Sequence, residues 1–120
     1  MKYVVDIDGT ICEHVEQGAA IKGMFGTGKV YHDRIEKINK LYDEGHTIIY
    51  HTARGAGPFS NPEGKFDGDS IQYCYKRWYN YTEQQLLDWG CRYTELIMGK
   101  YSGDVYIDDK AIFSDDFFSS

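Results

Sequence analysis

Four polar clusters in this chain stand directly after short aliphatic or β-branched runs. Asp6 and Asp8 close Tyr3-Val4-Val5-Asp6-Ile7-Asp8, Thr52 follows Thr47-Ile48-Ile49-Tyr50, Lys100 follows Leu96-Ile97-Met98, and Asp108 with Asp109 follows Val105-Tyr106-Ile107. If the runs are parallel strands of one open sheet, their C-terminal ends share an edge, and ligands of open α/β sheets bind in the crevice outside that edge. Carboxylates gathered there repel one another unless a cation or shared protons offset them. A hard divalent ion meets that need. Carboxylate oxygens with a backbone carbonyl and waters suit Mg2+, which keeps part of its hydration and can also touch substrate phosphate. Lys100 beside such a group suits an anionic substrate.

The elements that must carry these residues are legible in hydrophobic period and punctuation. Tyr3 to Asp8 is nearly continuous rather than alternating, as in a strand buried on both faces of a parallel sheet. Asp33 reads as an N-cap with Glu36 three residues on. Ile35, Ile38, Leu41 and Tyr42 then share a helical face that Gly45 ends. Thr47 to Tyr50 follows as strand two, and the short connection predicts a right-handed parallel crossover. Thr82 with Gln85 repeats the capping pattern before Leu86, Leu87 and Trp89, Gly90 stops the helix, and Leu96 to Met98 is strand three. Val105 to Ile107 is strand four. The expected architecture is α/β, a Rossmann-like three-layer sandwich with a short parallel sheet in the order 4-1-2-3 and no separate cap domain. Residues 11–32 and 53–81, which hold most glycines and both prolines, are expected to be a flap and a long loop over the active site.

Composition bounds the partners. A chain of 120 residues with 42% hydrophobic and 27% charged positions fits one domain spanning 1–120. Thirteen Lys plus Arg against nineteen Asp plus Glu give a net charge of −6, so stable nucleic-acid binding is not expected. No apolar run approaches the roughly 18 residues of a membrane span, and Met1-Lys2-Tyr3 leads into a strand without a signal-peptide core, so the expectation is a cytoplasmic chain with no membrane partner. Cys12, Cys74 and Cys91 form no CxxC pair and read as reduced, structural thiols.

In order and in strand position, Asp6-Ile7-Asp8-Gly9-Thr10, Thr52, Lys100 and Asp108-Asp109 resemble the four motifs of the haloacid dehalogenase-like hydrolase superfamily, over roughly residues 2–112. The stretches Lys37 to Gly45 and Glu95 to Lys100 are similar to small phosphatase-like proteins associated with capsular polysaccharide biosynthesis. The resemblance implies that Asp6 is the nucleophile, forming an aspartyl-phosphate that water hydrolyses. It implies that Asp8 is the general acid and base, that Thr52 donates to a phosphoryl oxygen, and that Lys100 offsets charge on the phosphoryl group. Mg2+ would be held by Asp6, the Asp8 carbonyl and Asp108, with Asp109 acting through water or orienting Lys100. Gly9, Thr10, Ala53 and Arg54 would contact substrate. Asp8 favours phosphatase or phosphomutase chemistry, because dehalogenases of the superfamily lack it and P-type ATPases place Thr there. Without a folded cap, substrate selection falls to the loops or to a neighbouring subunit, with Arg54 first and Lys65, Arg77 and His51 next as ligands for a second anionic group.

Competing motifs are incomplete. Gly23-Met24-Phe25-Gly26-Thr27-Gly28-Lys29-Val30 satisfies GxxxxGK but has Val30 where Ser or Thr should meet Mg2+, and no strand precedes it; a flap whose Lys22 or Lys29 touches substrate is preferred. Asp67-Gly68-Asp69 lacks the rest of a calcium loop and reads as a turn leading into a helix. His14, His32, His46 and His51 show no metal-ligand spacing and are assigned no metal. Tyr73, Tyr75, Trp78, Tyr79 and Tyr81 read as packing against the sheet ahead of stacking on a sugar or base. Phe117 and Phe118 would dock on the domain or on a neighbouring subunit, which leaves a homo-oligomer open. The sequence thus predicts a Mg2+-dependent phosphomonoesterase acting on a small phosphorylated metabolite, with a sugar phosphate first. A nucleotide or polynucleotide-end phosphatase and a non-catalytic phosphate-binding or assembly domain are the alternatives.

Overall fold

The computed structural model describes residues 1–15, 25–56 and 68–119, the side chains of 68–70 excepted. In chain order these form β1 (Lys2–Val5), α1 (His32–Asp43), β2 (Thr47–His51), α2 (Gly68–Asp88), β3 (Glu95–Ile97) and α3 (Ser114–Phe118). The three strands make one parallel sheet in the order β1-β2-β3, with Val5 opposite Tyr50, Tyr50 opposite Leu96 and His51 opposite Ile97. Thr94 sets the β2–β3 register at its start: its hydroxyl accepts from the Ile48 N–H and its own N–H donates to the Ile48 carbonyl.

The β-branched Ile48 and the aromatic Tyr50 suit a central strand and are fully buried. Ile35 and Ile38 of α1, Cys74, Trp78 and Leu86 of α2, and Ile7 and Ile11 beyond β1 join them in one core. Buried Asn39 ties α1 to the chain leaving α2: its amide donates to the Gly90 carbonyl and accepts from the Arg92 N–H. Among the described residues, no helix is long and apolar enough to cross a membrane.

Three expectations change. Helix α1 begins at His32, with Tyr31 at the N-cap and no side-chain cap, so Asp33 lies in the first turn, where its charge favours the helix dipole rather than capping it. Helix α2 starts at Gly68 and runs through much of the 53–81 stretch expected to be a loop; Asp67 of the expected Asp67-Gly68-Asp69 turn lies outside the described residues. Thr82 and Gln85 are therefore interior to a helix. Val105–Ile107 forms no strand here, and the sheet of the described residues holds β1 at its edge.

The flap closes at its base, where Cys12 bridges antiparallel to Val30 and the Glu13 N–H donates to the Lys29 carbonyl. The Gly23–Val30 motif lies partly outside the described residues, as do Lys22 and Lys65. At the other terminus, Phe117 and Phe118 dock on the chain itself. Phe117 meets the Tyr3 ring at a centroid distance of 6.2 Å, and Arg34 pairs with Asp115 at 2.8 Å.

Candidate active site

Beyond β1 the chain turns tightly: the N–H groups of Thr10 and Ile11 both donate to the Ile7 carbonyl. Ile7 points into the core and is 0% exposed, so its neighbours Asp6 and Asp8 face away from it with their carboxylates at the sheet end. Asp6 is partly exposed. Its Oδ2 accepts from the Thr10 hydroxyl at 3.4 Å, and its Oδ1 lies 3.6 Å from the Lys100 ammonium. Burial pushes the Asp6 carboxyl above the ordinary carboxylate value; the Lys100 charge and the Ile7 N–H pull it part of the way back.

Lys100 reaches this place through two main-chain bonds that continue the sheet past its strands. The Thr52 N–H donates to the Ile97 carbonyl and the Lys100 N–H donates to the Thr52 carbonyl, each at 3.1 Å. The Lys100 ammonium also stands 4.5 Å from the centroid of the Tyr106 ring. Thr52 is buried, and its hydroxyl oxygen accepts from the Arg54 N–H at 3.1 Å, which leaves the hydroxyl proton free to donate. Asp6, Thr52 and Lys100 thus occupy one sheet end, as their positions in the sequence predict.

Arg54 departs from its expected role. Its side chain is 0% exposed, and the guanidinium clamps Asp8 with Nε to Oδ2 at 2.8 Å and Nη2 to Oδ1 at 3.0 Å. Its Nη1 donates to the Thr82 hydroxyl at 3.2 Å and to Gln85 Oε1 at 2.7 Å. A side chain enclosed in this way holds Asp8 instead of reaching substrate. Cys12 adds its S–H toward Asp8 Oδ1 at 3.5 Å; burial first and the Asp8 charge second push this thiol up to about 12, so it is a protonated donor and not a nucleophile.

Two histidines act on the Asp6 end of the sheet: His14, which the sequence left without a role, and His51, expected there only as a ligand for a second anionic group. The His14 ring packs over Gly9 and its charge favours an ionised Asp6. His51, at the end of β2, titrates below the ordinary histidine value because burial and the Lys100 charge disfavour its cation, against the opposing pull of Asp6. Spacing along the chain gave His14 no role, because it is folding that brings its ring over Gly9.

Asp108 and Asp109 are exposed, and Asp108 Oδ1 accepts from the Lys110 N–H at 2.8 Å. Among the described residues no group of three or more His, Cys, Asp or Glu side chains forms a metal-holding cluster. In this arrangement the Asp8 carboxylate belongs to Arg54 and the C-terminal aspartates stand on an exposed segment. Arg77 stacks on the Trp78 ring at 4.2 Å, and the α2 aromatics pack: Trp78 is buried against Phe25 and Tyr81, and Tyr75 stacks on Tyr79.

No family model matches the chain, and no curated protein does. Among solved structures, the crystal structure of an MCSG target from Vibrio cholerae is similar over 99% of this chain and 88% of that one, with a TM-score of 0.75 at 23% sequence identity. At that identity the likeness establishes the α/β fold and nothing about chemistry.

Proposed function

We propose that the chain is a phosphomonoesterase of the haloacid dehalogenase-like hydrolase superfamily, acting on a small phosphorylated metabolite, with a sugar phosphate as the leading class. The observation that carries the reading is the pairing of a partly exposed carboxylate with a cation at one sheet end, Lys100 Nζ standing 3.6 Å from Asp6 Oδ1, with the Thr52 hydroxyl held in the same loop system. An Asp6 oxygen attacks phosphorus as the ester P–O bond breaks, and the leaving oxygen takes a proton from Asp8. Water then gives a proton to Asp8 and attacks phosphorus, the bond to Asp6 breaks, and inorganic phosphate leaves. Lys100 and the Thr52 hydroxyl offset charge on the phosphoryl oxygens.

The reading extends the sheet to the order 4-1-2-3, with Val105–Ile107 adding to the outer edge of β1. Two observations support it. That edge has no strand partner among the described residues, and Val105, Tyr106 and Ile107 are 76%, 52% and 97% exposed. Open edges and exposed apolar runs are both unfavourable in water, and pairing them removes both at once. Docked there, Asp108 and Asp109 come to the Asp6 end of the sheet, where Asp6, the Asp8 carbonyl and Asp108 would hold Mg2+ with Asp109 beside them. The ion would supply positive charge against the phosphoryl group.

The test is hydrolysis of a phosphomonoester panel with and without Mg2+, comparing sugar phosphates, nucleotides and 3′-phosphorylated oligonucleotides. Mg2+-stimulated release of phosphate from sugar phosphates, lost in Asp6→Asn, is the expected result. Preference for nucleotides or oligonucleotide ends would move the assignment to a nucleotide or polynucleotide-end phosphatase. Tight binding of a phosphate analogue with no turnover would make the chain a binding domain. A folded Asp6→Asn variant that works at the parent rate overturns the nucleophile assignment.

A further inference from the structure

A buried arginine inside a site for anions requires an explanation, because a charge of that size is costly to enclose unless its hydrogen bonds are met. Arg54 meets them in two directions. Toward the sheet end it takes both Asp8 oxygens in a bidentate fork. Toward α2 its Nη1 donates to Gln85 Oε1, and the same amide turns its Nε2 to the Phe25 carbonyl at 2.5 Å. Tyr81 donates to that carbonyl as well, at 2.6 Å, and the guanidinium carbon lies 5.2 Å from the centroid of the Phe25 ring. Asp8, Arg54, Gln85 and the flap at Phe25 are therefore one connected hydrogen-bonded unit.

We propose that Arg54 is a positioning residue that fixes the Asp8 carboxylate and, through Gln85, ties it to the flap backbone at Phe25. This rests on the reading of Asp8 as the acid and base of phosphoryl transfer. Among the described residues, Asp8 Oδ1 carries both the Nη2 and the Cys12 contact, whereas Oδ2 carries Nε. Each carboxylate oxygen has two lone pairs, so Oδ2 keeps one for a further partner while the fork fixes the plane of the carboxylate. Arg54 never touches substrate; it acts through Asp8. A lysine cannot reproduce the fork, because its ammonium is a point charge on a flexible stem.

The experiment combines steady-state kinetics of the full chain in Mg2+, on the best phosphomonoester of the panel, with proton NMR of the Arg54 Nε–H. Arg54→Lys is expected to lower kcat by about 30- to 100-fold with KM within about twofold, the size of loss that follows a misplaced catalytic group. Gln85→Leu, which keeps the fork, is expected to lower kcat by about fivefold. It should also speed amide exchange in flap residues 25–31 by about tenfold, and it carries the test if Arg54→Lys fails to fold. A variant that raises KM and preserves kcat overturns the proposal in favour of direct substrate contact. If the parent hydrolyses nothing, the phosphatase reading falls and the tie is judged by NMR alone. A slowly exchanging Arg54 Nε–H that is lost in Asp8→Asn, with a flap loosened by Gln85→Leu, supports the tie, and a freely exchanging one overturns it.

Discussion

Lys100 Nζ stands 3.6 Å from Asp6 Oδ1, and its charge is the largest influence opposing the burial that makes Asp6 reluctant to ionise. In the proposed mechanism Asp6 attacks as its carboxylate, so the rate should fall as pH drops through the raised Asp6 value. Lys100→Met removes the stabilising charge and moves that value further up. The acid limb of the kcat/KM profile is therefore expected to shift to higher pH, with kcat lower by about 10²- to 10³-fold from the lost electrostatic stabilisation. A pH–rate profile of parent and variant checks both parts. An unmoved acid limb would show that another group governs it.

The same shift fixes a sign for stability. The folded-state value of Asp6 lies above its ordinary value, so folding favours the protonated form, and stability falls as pH rises from the ordinary carboxylate value through the folded one. Above that window the ionised carboxylate is a standing cost. Asp6→Asn is expected to abolish turnover and to raise Tm at pH 7 by about 1–3 °C, a small effect because the group is partly exposed. The gain should vanish below the ordinary carboxylate range. Thermal melts at acidic and neutral pH measure it.

What the sequence made legible was whatever repeats along the chain. The stripe of Ile35 and Ile38, the β-branched run at Thr47–His51 and the polar residues closing the three strands report their own surroundings, and the structure places Asp6, Thr52 and Lys100 together accordingly, whereas Asp108 and Asp109, read the same way, stand on an exposed segment outside the sheet. Helix α2 carried a signal too, with Cys74, Trp78, Thr82 and Leu86 all buried at steps of four. Dense tyrosines and the preceding glycine-rich stretch obscured it. Thr82 and Gln85 imitated a capping box for a different reason: both face Arg54 from inside the helix. The burial of Arg54 was not readable, because it depends on a partner from α2 and a partner from the turn after β1, which only folding brings together.

The docked C-terminus makes a separate prediction. The ring of Phe117 is half-buried against Tyr3, and Lys37 both lies 5.3 Å from its centroid and donates to its carbonyl at 3.2 Å. Phe117→Ala is expected to cost about 1.5 kcal/mol, below the range for a fully buried phenylalanine because part of the ring already meets water. Urea denaturation measures it, and a second protein concentration separates docking within the chain from docking on a neighbour: a concentration-independent midpoint places the contact within one chain.

Two glycines with left-handed backbone offer a contrast that tests the packing around Arg54. Gly45 has φ +97° and a side chain added there meets nothing, so Gly45→Ala carries only the backbone term of about 1–2 kcal/mol. Gly55, with φ +85°, directly follows the buried Arg54, and a Cβ there would come within 2.6 Å of Trp78 Cδ1 and 3.3 Å of Cys74 Sγ. Trp78 is buried and cannot step aside without disturbing the α2 face that presents Thr82 and Gln85. Gly55→Ala should therefore add an overpacking cost of about 1–3 kcal/mol to the same backbone term. It should also lower kcat through the Asp8 clamp, whereas Gly45→Ala leaves kcat unchanged. Denaturation midpoints and turnover of the two variants, measured side by side, decide it. Equal stability losses would mean that the space beside Trp78 is looser than the structure describes.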